Sequence, residues 1–201
     1  CRNCTGRHFT IQQKGDRMRI IAGEFASRRL ETKKGNATRP TLDKVKEAVF
    51  SSLGGYFDGG NVLDLYAGSG AVGLEALSRG MDNAYFSDND RIACSVIRNN
   101  IASLKVEDRT KVYPIADMKM LSRMKEEGKK FRLIYLDPPY AKQKNLEVMQ
   151  YIDDNNLLDE NGVVVIESLQ EENYHVDTFQ HFHYHKESVY GIMKITYYKH
   201  N

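Results

Sequence analysis

The stretch NVLDLYAGSGAVGLEALSRG, residues 61–80, decides the fold. An apolar run comes first, three glycines follow in the pattern Gly68-x-Gly70-x-x-Gly73, and apolar residues then recur at helical spacing. A glycine loop between a strand and a helix lets the backbone turn sharply and approach a ligand closely. The pattern therefore favours a cofactor-binding loop. The alternative is a tight strand-to-helix turn that binds nothing.

Strand and helix patterns alternate on the C-terminal side of this loop. The predicted strands are residues 61–67, 83–88, 110–116, 131–137 and 162–168. The predicted helices are residues 71–79, 90–104, 118–127 and 145–156. Continuous apolar strands separated by amphipathic helices indicate an α/β fold with a parallel sheet covered on both faces. Residues 179–200 differ, since they contain two strand patterns joined around Glu187 to Gly191. We therefore expect a doubly wound, mostly parallel sheet that ends in an antiparallel hairpin.

The N-terminal part of the chain carries weaker signals. Residues 1–17 show no apolar periodicity, so we expect a disordered or non-native extension there. Residues 18–30 predict a small hairpin. A helix follows, with Thr41 as its N-cap and Gly54-Gly55 at its end.

The composition suits a single domain. The chain has 201 residues, of which 41% are hydrophobic and 28% are charged, and this is enough to bury one core. We expect the domain to span residues 18–201, with an N-terminal segment over 18–55 and a catalytic core over 56–201. No run approaches the roughly 20 apolar residues that cross a membrane, and no basic-then-apolar leader opens the chain. We therefore expect a cytoplasmic protein without a membrane partner.

Cysteine and histidine residues give only weak signals for metal binding. The three cysteines, Cys1, Cys4 and Cys94, are too few and too scattered for a disulfide framework, which indicates a reducing compartment. Cys1-x-x-Cys4 has no second pair at ligand spacing. Three histidines alternate over residues 181–185 on a predicted strand, without a carboxylate partner at ligand spacing. We expect no metal site.

Positive charge is concentrated at the front of the chain. Residues 1–50 contain 12 Lys and Arg against 5 Asp and Glu, whereas residues 51–201 contain 17 against 22. This asymmetry is typical of a segment that binds a polyanion such as a nucleic acid. The alternative is an ordinary solvated surface.

The acid in the first strand, Asp64, separates two classes of cofactor. A dinucleotide carries an anionic pyrophosphate, which gains nothing from a carboxylate beside the glycine loop. S-adenosylmethionine has no phosphate and carries an ammonium and a sulfonium group, both of which are cationic. Asp64 therefore favours the methyl donor, unless it is only a turn residue at the end of the strand.

Two further acids follow the next two strands. Asp88 ends the second strand, where a carboxylate can accept hydrogen bonds from ribose hydroxyls. Asp117 follows the third strand, where a carboxylate can accept a hydrogen bond from an adenine amino group. Each acid also lies where a helix N-cap is expected, so both interpretations stay open.

The fourth strand ends in LDPPY, residues 136–140. Ligands of open α/β sheets bind at the carboxyl ends of the strands, so this proline corner belongs beside the glycine loop. The prolines stiffen the chain, and the Asp137 carboxylate and the Pro138 carbonyl can accept both N–H bonds of a nucleobase amino group. They would stabilise positive charge on that nitrogen as a methyl group arrives, while Tyr140 stacks on the base. The alternative is a proline turn after a buried strand.

Several motifs carry a family resemblance. VLDLYAGSGAVGLEA and LDPPY resemble class I S-adenosylmethionine-dependent methyltransferases, and LDPPY matches their signature for methylation of amino groups. RIIAGEFASRRL, TRPTLDKVKEAVFSSL and LYAGSGAVGLEALSRG look more closely like the bacterial 16S rRNA (guanine-N2) methyltransferase D family. The resemblance covers Met18 to the C-terminus. It implies a Rossmann-like sheet of seven strands with an antiparallel last strand. It also implies methylation of a guanine 2-amino group in 16S rRNA, within an assembling small ribosomal subunit.

The resemblance also implies roles for individual residues. S-adenosylmethionine would be held by the glycine loop and by acids at the strand ends: Asp64, Tyr66, Ala67, Gly68, Ser69, Gly70, Gly73, Asp88, Asn89 and Asp117. The base would be held by Asp137, Pro138, Pro139 and Tyr140. The pocket entrance and the RNA backbone would be contacted by Arg39, Pro40, Thr41, Arg19, Arg28, Arg29, Lys33 and Lys34. Lys44 and Lys46 stand where relatives often carry arginine, which keeps the charge but loses the bidentate fork. We infer no obligate protein partner.

Three other functions stay open at this point. A DNA adenine or cytosine amino-methyltransferase would use the same proline corner, although the chain shows no additional target-recognition domain. A nicotinamide oxidoreductase would use the glycine loop, although Asp64 and the proline corner argue against it. A non-catalytic RNA-binding module would use the basic segment with a degenerate pocket.

Overall fold

The computed structural model describes residues 18–33, 40–139, 144–175 and 178–201, excluding the side chains of residues 40–42. Helices and strands alternate through these ranges. In chain order they are α1 (Pro40–Ser52), β1 (Asn61–Asp64), α2 (Ala71–Ser78), β2 (Asn83–Ser87), α3 (Arg91–Leu104), β3 (Thr110–Tyr113), α4 (Asp117–Glu126), β4 (Phe131–Leu136), α5 (Asn145–Asp154), β5 (Leu158–Leu169), β6 (Phe182–Tyr190) and β7 (Met193–His200). A short 3-10 helix, Glu107–Arg109, precedes β3.

The strands form one sheet in the order β3-β2-β1-β4-β5-β7-β6. The five strands from β3 to β5 pair in parallel, as expected when helices connect successive strands. β7 runs antiparallel to both of its neighbours, β5 and β6. The predicted α/β sheet with an antiparallel last strand is therefore confirmed.

Two apolar cores lie on opposite faces of the sheet. On one face, α1, α2 and α3 pack against strand side chains that include Val62 and Val165. On the other face, α4 and α5 pack against strand side chains that include Leu63 and Ile166. Because successive residues of a strand point to opposite faces, covering both faces makes the strands continuous apolar runs. No helix in the described part of the chain is both long and apolar enough to span a membrane.

The predicted N-terminal hairpin is present. Arg19 and Arg29 form an isolated antiparallel bridge, and the Ile20 amide donates to the Arg28 carbonyl at 2.9 Å. Ile20 and Leu30 are buried in the same apolar core as the first three helices. The hairpin therefore packs on the body of the fold.

A fully buried carboxylate, Glu75 of α2, fastens this hairpin. Its two oxygens accept hydrogen bonds from the backbone amides of Ile21 and Ala22 at 2.8 and 3.1 Å. Lys46 Nζ lies 3.3 Å from one oxygen, and Arg79 Nε donates to the other at 2.7 Å. A buried carboxylate needs such partners, because it has lost its hydrating water.

Several boundaries differ from those predicted. α1 begins at Pro40, because proline suits the first helical position, so the prediction of Thr41 as the N-cap is wrong. β1 ends at Asp64 and β3 ends at Tyr113, each earlier than predicted, because the chain leaves the sheet to form the loops beyond them. Residues 1–17, predicted to be an extension, lie outside the described residues.

Candidate active site

An open cavity of about 200 Å³ lies at the carboxyl ends of β1, β4 and β5. Its walls come from the hairpin, α1, the glycine loop and the strand ends: Met18, Val45, Lys46, Asp64, Tyr66, Ala67, Gly68, Ser69, Ala71, Val72, Tyr135, Asp137 and Glu167. Five predicted cofactor residues and the predicted base residue Asp137 are therefore brought together. A larger cavity of about 490 Å³ lies at the other ends of the strands, beside Leu133 and Gly162. None of the predicted site residues lines it.

The glycine loop joins β1 to α2 in a left-handed conformation. Gly68 and Gly70 have φ angles of 56° and 78°, which favour glycine, and Gly70 is the N-cap of α2. A Cβ atom at Gly68 would meet nothing within 4 Å, so a ligand can approach its backbone. A Cβ atom at Gly73 would lie 2.3 Å from the ring of Phe86. The first two glycines therefore shape the loop, and the third allows α2 to pack closely against β2.

Asp64 is almost completely buried at the cavity wall, with 3% of its surface exposed. One of its oxygens, Oδ2, accepts a hydrogen bond from the Gly73 amide at 3.1 Å. Burial raises the pKa of Asp64 to about 7; the Gly73 bond opposes this shift, and the charge of Asp88 adds to it. A cationic ligand in the cavity would favour the ionised carboxylate.

Asp88 and Asp117 form hydrogen bonds to the glycine loop and to Tyr66 before it, but neither residue lines this cavity. Asp88 Oδ2 accepts a hydrogen bond from the Gly68 amide at 2.9 Å. Asp117 Oδ2 accepts one from the Tyr66 hydroxyl at 2.7 Å. Burial, followed by the Asp117 hydrogen bond, raises the pKa of the Tyr66 hydroxyl, so Tyr66 remains a donor. Each carboxylate oxygen has a second lone pair for a ligand.

The N-cap interpretation of these two acids is wrong. The N-cap of α3 is Asp90, whose carboxylate accepts a hydrogen bond from the Ile92 amide at 2.8 Å. The cap position of α4 is Ala116, and Asp117 is already the first helical residue. Asn89, a predicted cofactor residue, is exposed on the loop between β2 and α3.

The proline corner follows β4, and its first residue, Asp137, lines the cavity. Asp137 is exposed there, Pro138 is buried and Pro139 is exposed. Desolvation raises the pKa of Asp137 well above its usual range, and the charges of nearby Glu167 and Asp64 raise it further. Tyr140, predicted to stack on the base, lies outside the described residues.

Two cavity residues, Glu167 and Tyr135, were not predicted from the sequence. Glu167 lies near the end of β5, is 8% exposed, and accepts a hydrogen bond from the Tyr135 hydroxyl at 2.9 Å. Burial raises the pKa of Glu167, and the Tyr135 bond opposes that shift. A signal was present, because Glu167 follows a buried apolar run just as Asp137 does.

Three of the arginines predicted to contact RNA belong to the hairpin. Arg19 Nε lies 3.6 Å from the Asp43 carboxylate, and the Arg28 guanidinium donates to the Ser103 carbonyl at 2.5 Å. Arg29 is exposed, and no ion pair links it to another described residue. Arg28 is therefore engaged in a structural contact, while Arg29 is available to a ligand.

The remaining predicted RNA contacts are only partly described. Lys33 Nζ lies 2.6 Å from Asp90 Oδ2 and also donates a hydrogen bond to it. Lys34 and Arg39 lie outside the described residues. Residues 40–41 form the start of α1, and their side chains are not described.

None of the described histidines lines this cavity. His181 does have a carboxylate neighbour, contrary to expectation, since its Nδ1 lies 3.4 Å from Asp153 Oδ1. Asp153 also accepts the amides of Gln180 and His181 at 2.7 Å each, so the contact is structural. Within the described ranges, no group of three or more His, Cys, Asp and Glu side chains is placed to hold a metal ion.

Comparisons with known proteins agree with this geometry. Residues 18–199 match the family described as Conserved hypothetical protein 95. The Bacillus subtilis protein YlbH is 42% identical over 150 residues, which are 75% of this chain and 82% of YlbH. Ribosomal RNA small subunit methyltransferase D of Escherichia coli is 30% identical over 151 residues, which are 75% of this chain and 74% of that protein.

A solved structure shares the fold. It is the Thermus thermophilus 16S rRNA N2 G1207 methyltransferase (RsmC) in complex with AdoMet and guanosine. The TM-score is 0.62 and the identity is 19%, and the match covers 84% of this chain and 45% of that chain. The chain belongs to the ribosomal RNA small subunit methyltransferase D family, a family of class I S-adenosylmethionine-dependent methyltransferases.

Proposed function

We propose that the protein transfers a methyl group from S-adenosylmethionine to the 2-amino group of a guanine in 16S rRNA, on an assembling small ribosomal subunit. Family membership assigns the chain to the rRNA methyltransferases that use this methyl donor. The choice of the guanine 2-amino group and of the particle is our inference. The observation that carries it is the shared cavity of Asp64, the glycine loop and Asp137.

The cofactor side of the cavity fits a cationic nucleoside. Asp64 is buried and poorly compensated, with one hydrogen bond, so a positive ligand would relieve its desolvation. Asp88 and Asp117, already bonded to the loop, keep lone pairs for ribose hydroxyls and for an adenine amino group. When bound, S-adenosylmethionine supplies a methyl group on a positively charged sulfur, which retains the C–S electron pair after transfer.

The base side of the cavity fits an amino group. The Asp137 carboxylate and the Pro138 carbonyl would accept the two N–H bonds of the guanine nitrogen, which frees its lone pair from the ring. Holding the nitrogen in line with the donor supplies a large part of the rate. The nitrogen becomes positively charged as its new N–C bond forms, and it then releases one proton. Asp137 is suited to take that proton, because its pKa is raised.

The RNA side is the exposed part of the hairpin and of the segment after it. Arg29 is exposed beside the body of the fold, and Lys33 forms a surface ion pair with Asp90. Such groups neutralise phosphates and make binding sensitive to salt. The target base must be unpaired or flipped to enter the cavity.

Labelled S-adenosylmethionine and small-subunit particles that lack the modification provide the test. We expect label in one guanine of 16S rRNA, identified as N2-methylguanine by nuclease digestion and mass spectrometry. Asp137→Ala should lower the transfer rate about 100-fold or more. Its affinity for S-adenosylhomocysteine should stay near the wild-type value, because Asp137 faces the base.

A matched control is Asp58→Ala, since the Asp58 side chain is 93% exposed and lies outside the cavity. It should leave the rate unchanged. Label in duplex DNA, label at another position of the base, or full activity in Asp137→Ala would overturn the proposal.

A further inference from the structure

We infer that Glu167 accepts the N1–H group of the target guanine and so decides which purine enters the reaction. The inference rests on the proposed function, because it assigns a second residue to the base that Asp137 would hold. Guanine carries donors at N1 and N2, side by side on one edge, whereas adenine carries an acceptor at N1. A carboxylate that faces N1 therefore attracts guanine and repels adenine.

The sheet places Glu167 beside Asp137. Leu136 of β4 pairs with Ile166 of β5, so the next residues, Asp137 and Glu167, lie side by side at the strand ends. Neighbouring strands are about 4.8 Å apart. Both side chains line the same cavity. This arrangement suits two adjacent donors of a single base.

The contacts of Glu167 leave one oxygen for a ligand. Oε2 accepts the Tyr135 hydroxyl at 2.9 Å, and no donor among the described residues contacts Oε1. The residue is only 8% exposed, yet it reaches the cavity. Water reaches this oxygen through the open cavity, and a base that displaces the water would have to supply a donor in its place. Burial raises the pKa of Glu167 and the Tyr135 bond opposes that shift, so a hydrogen-bond donor on the ligand would further favour the ionised form, which can only accept.

The test changes the base while keeping its methyl acceptor. Once the methylated guanine is mapped, 2-aminopurine is placed at that position of 16S rRNA by splinted ligation, and the particle is reconstituted. 2-Aminopurine keeps the 2-amino group and carries an acceptor at N1. We expect the wild-type enzyme to methylate guanine about 100-fold faster than 2-aminopurine or more, because a site built for a hydrogen-bond donor rejects an analogue that lacks it.

Glu167→Gln should reverse part of this preference. The Tyr135 hydroxyl would hold the carbonyl oxygen of the substituted side chain, and its NH2 group would then face N1. That group opposes the guanine N1–H and donates to the 2-aminopurine N1, so the rate ratio should fall at least about tenfold. Tyr135→Phe keeps the Glu167 carboxylate but removes the hydrogen bond that orients it, so we expect a smaller fall in the rate ratio. The affinity for S-adenosylhomocysteine should not change in either variant.

Four results decide the inference. A ratio that falls in Glu167→Gln with unchanged cofactor affinity supports it. Equal losses of rate on both bases in Glu167→Gln would assign Glu167 a structural role and overturn the inference. Equal methylation of both bases by the wild-type enzyme would also overturn it, and this measurement does not depend on whether a variant folds. Failure of the wild-type enzyme to methylate guanine would instead reject the proposed function, and the inference with it.

Discussion

Asp64 and Gly73 are joined by a hydrogen bond of 3.1 Å, in which the Gly73 amide donates to the Asp64 carboxylate. The bond ties the end of β1 to the first turn of α2 and orients a buried acid at the cavity. One amide does not replace the water that this carboxylate has lost, so its pKa stays at about 7. The site is therefore sensitive to pH in the neutral range.

The raised pKa of Asp64 predicts how cofactor binding depends on pH. A cationic ligand favours the ionised carboxylate, and the ionised fraction of a group with a pKa of about 7 grows about fivefold between pH 6 and pH 7, where the ligand's own ammonium group stays mostly charged. We expect S-adenosylmethionine to bind about fivefold more tightly at pH 7 than at pH 6, as measured by titration calorimetry. Asp64→Asn should bind it weakly and equally at both values. A pH-independent wild-type affinity would contradict this account.

The same group predicts the opposite trend for stability without ligand. Asp64 releases its proton near pH 4 in the unfolded chain and near pH 7 in the folded one, so the folded state binds more protons between these values. Its contribution to the free energy of unfolding therefore falls as the pH rises through this window. We expect Asp64→Asn to raise the melting temperature at pH 8 on the order of 5 °C, and to change it little at pH 4.

Two glycine substitutions should separate loop shape from helix packing. Gly73→Ala places a methyl group 2.3 Å from the ring of Phe86, so we expect a loss of about 1–3 kcal/mol in urea unfolding. Gly68→Ala meets no neighbour but is strained at a φ of 56°, with an expected loss of about 1 kcal/mol. Its larger effect should be on cofactor affinity. If Gly73→Ala were the milder change in unfolding, the close packing of α2 on β2 would be refuted.

The buried Glu75 is expected to dominate the stability of the hairpin. Glu75→Gln removes the buried anion that pairs with the Lys46 and Arg79 cations, and such a change costs about 3 kcal/mol or more. Urea unfolding measures this loss. Glu24→Gln is the matched control, because its partner Arg109 is 3.4 Å away and its side chain is 62% exposed. The control should unfold like the wild-type protein, and equal losses in both variants would contradict the assignment.

Two basic residues should differ in their contribution to RNA binding. Arg29 is exposed, whereas Lys33 is already paired with Asp90 at 2.6 Å. Arg29→Ala should weaken particle binding and reduce the salt slope by about 1, and Lys33→Ala should have the smaller effect. Filter binding across salt concentrations measures both slopes. Identical slopes in Arg29→Ala and the wild type would remove Arg29 from the interface.

The order of the elements could be predicted from the sequence, since apolar runs and glycines are local signals. Gly68 and Asp137 were placed in one site because both follow strands, and ligands bind at the carboxyl ends. Glu167 also follows an apolar run, but nothing local shows that β5 lies next to β4, so the sequence did not place this residue in the site. Asp88 and Asp90 are two residues apart, and a small shift in where the helix begins decides which of them is the cap.

Burial was the other property that the sequence did not indicate. Glu75 lies in GLEALS, where a single acid among apolar residues is typical of a solvated helix face. It is fully buried because the hairpin covers that face of α2. The cover comes from residues more than 50 positions earlier, beyond the reach of any periodicity.

The position of Glu75 also limits how this protein can be engineered. The carboxylate accepts hydrogen bonds from two main-chain amides of the hairpin and pairs with two cations, Lys46 and Arg79. If the hairpin were moved to another scaffold, its two amides would lose their acceptor. Chimaeras between relatives therefore need to exchange the hairpin, α1 and α2 as one block.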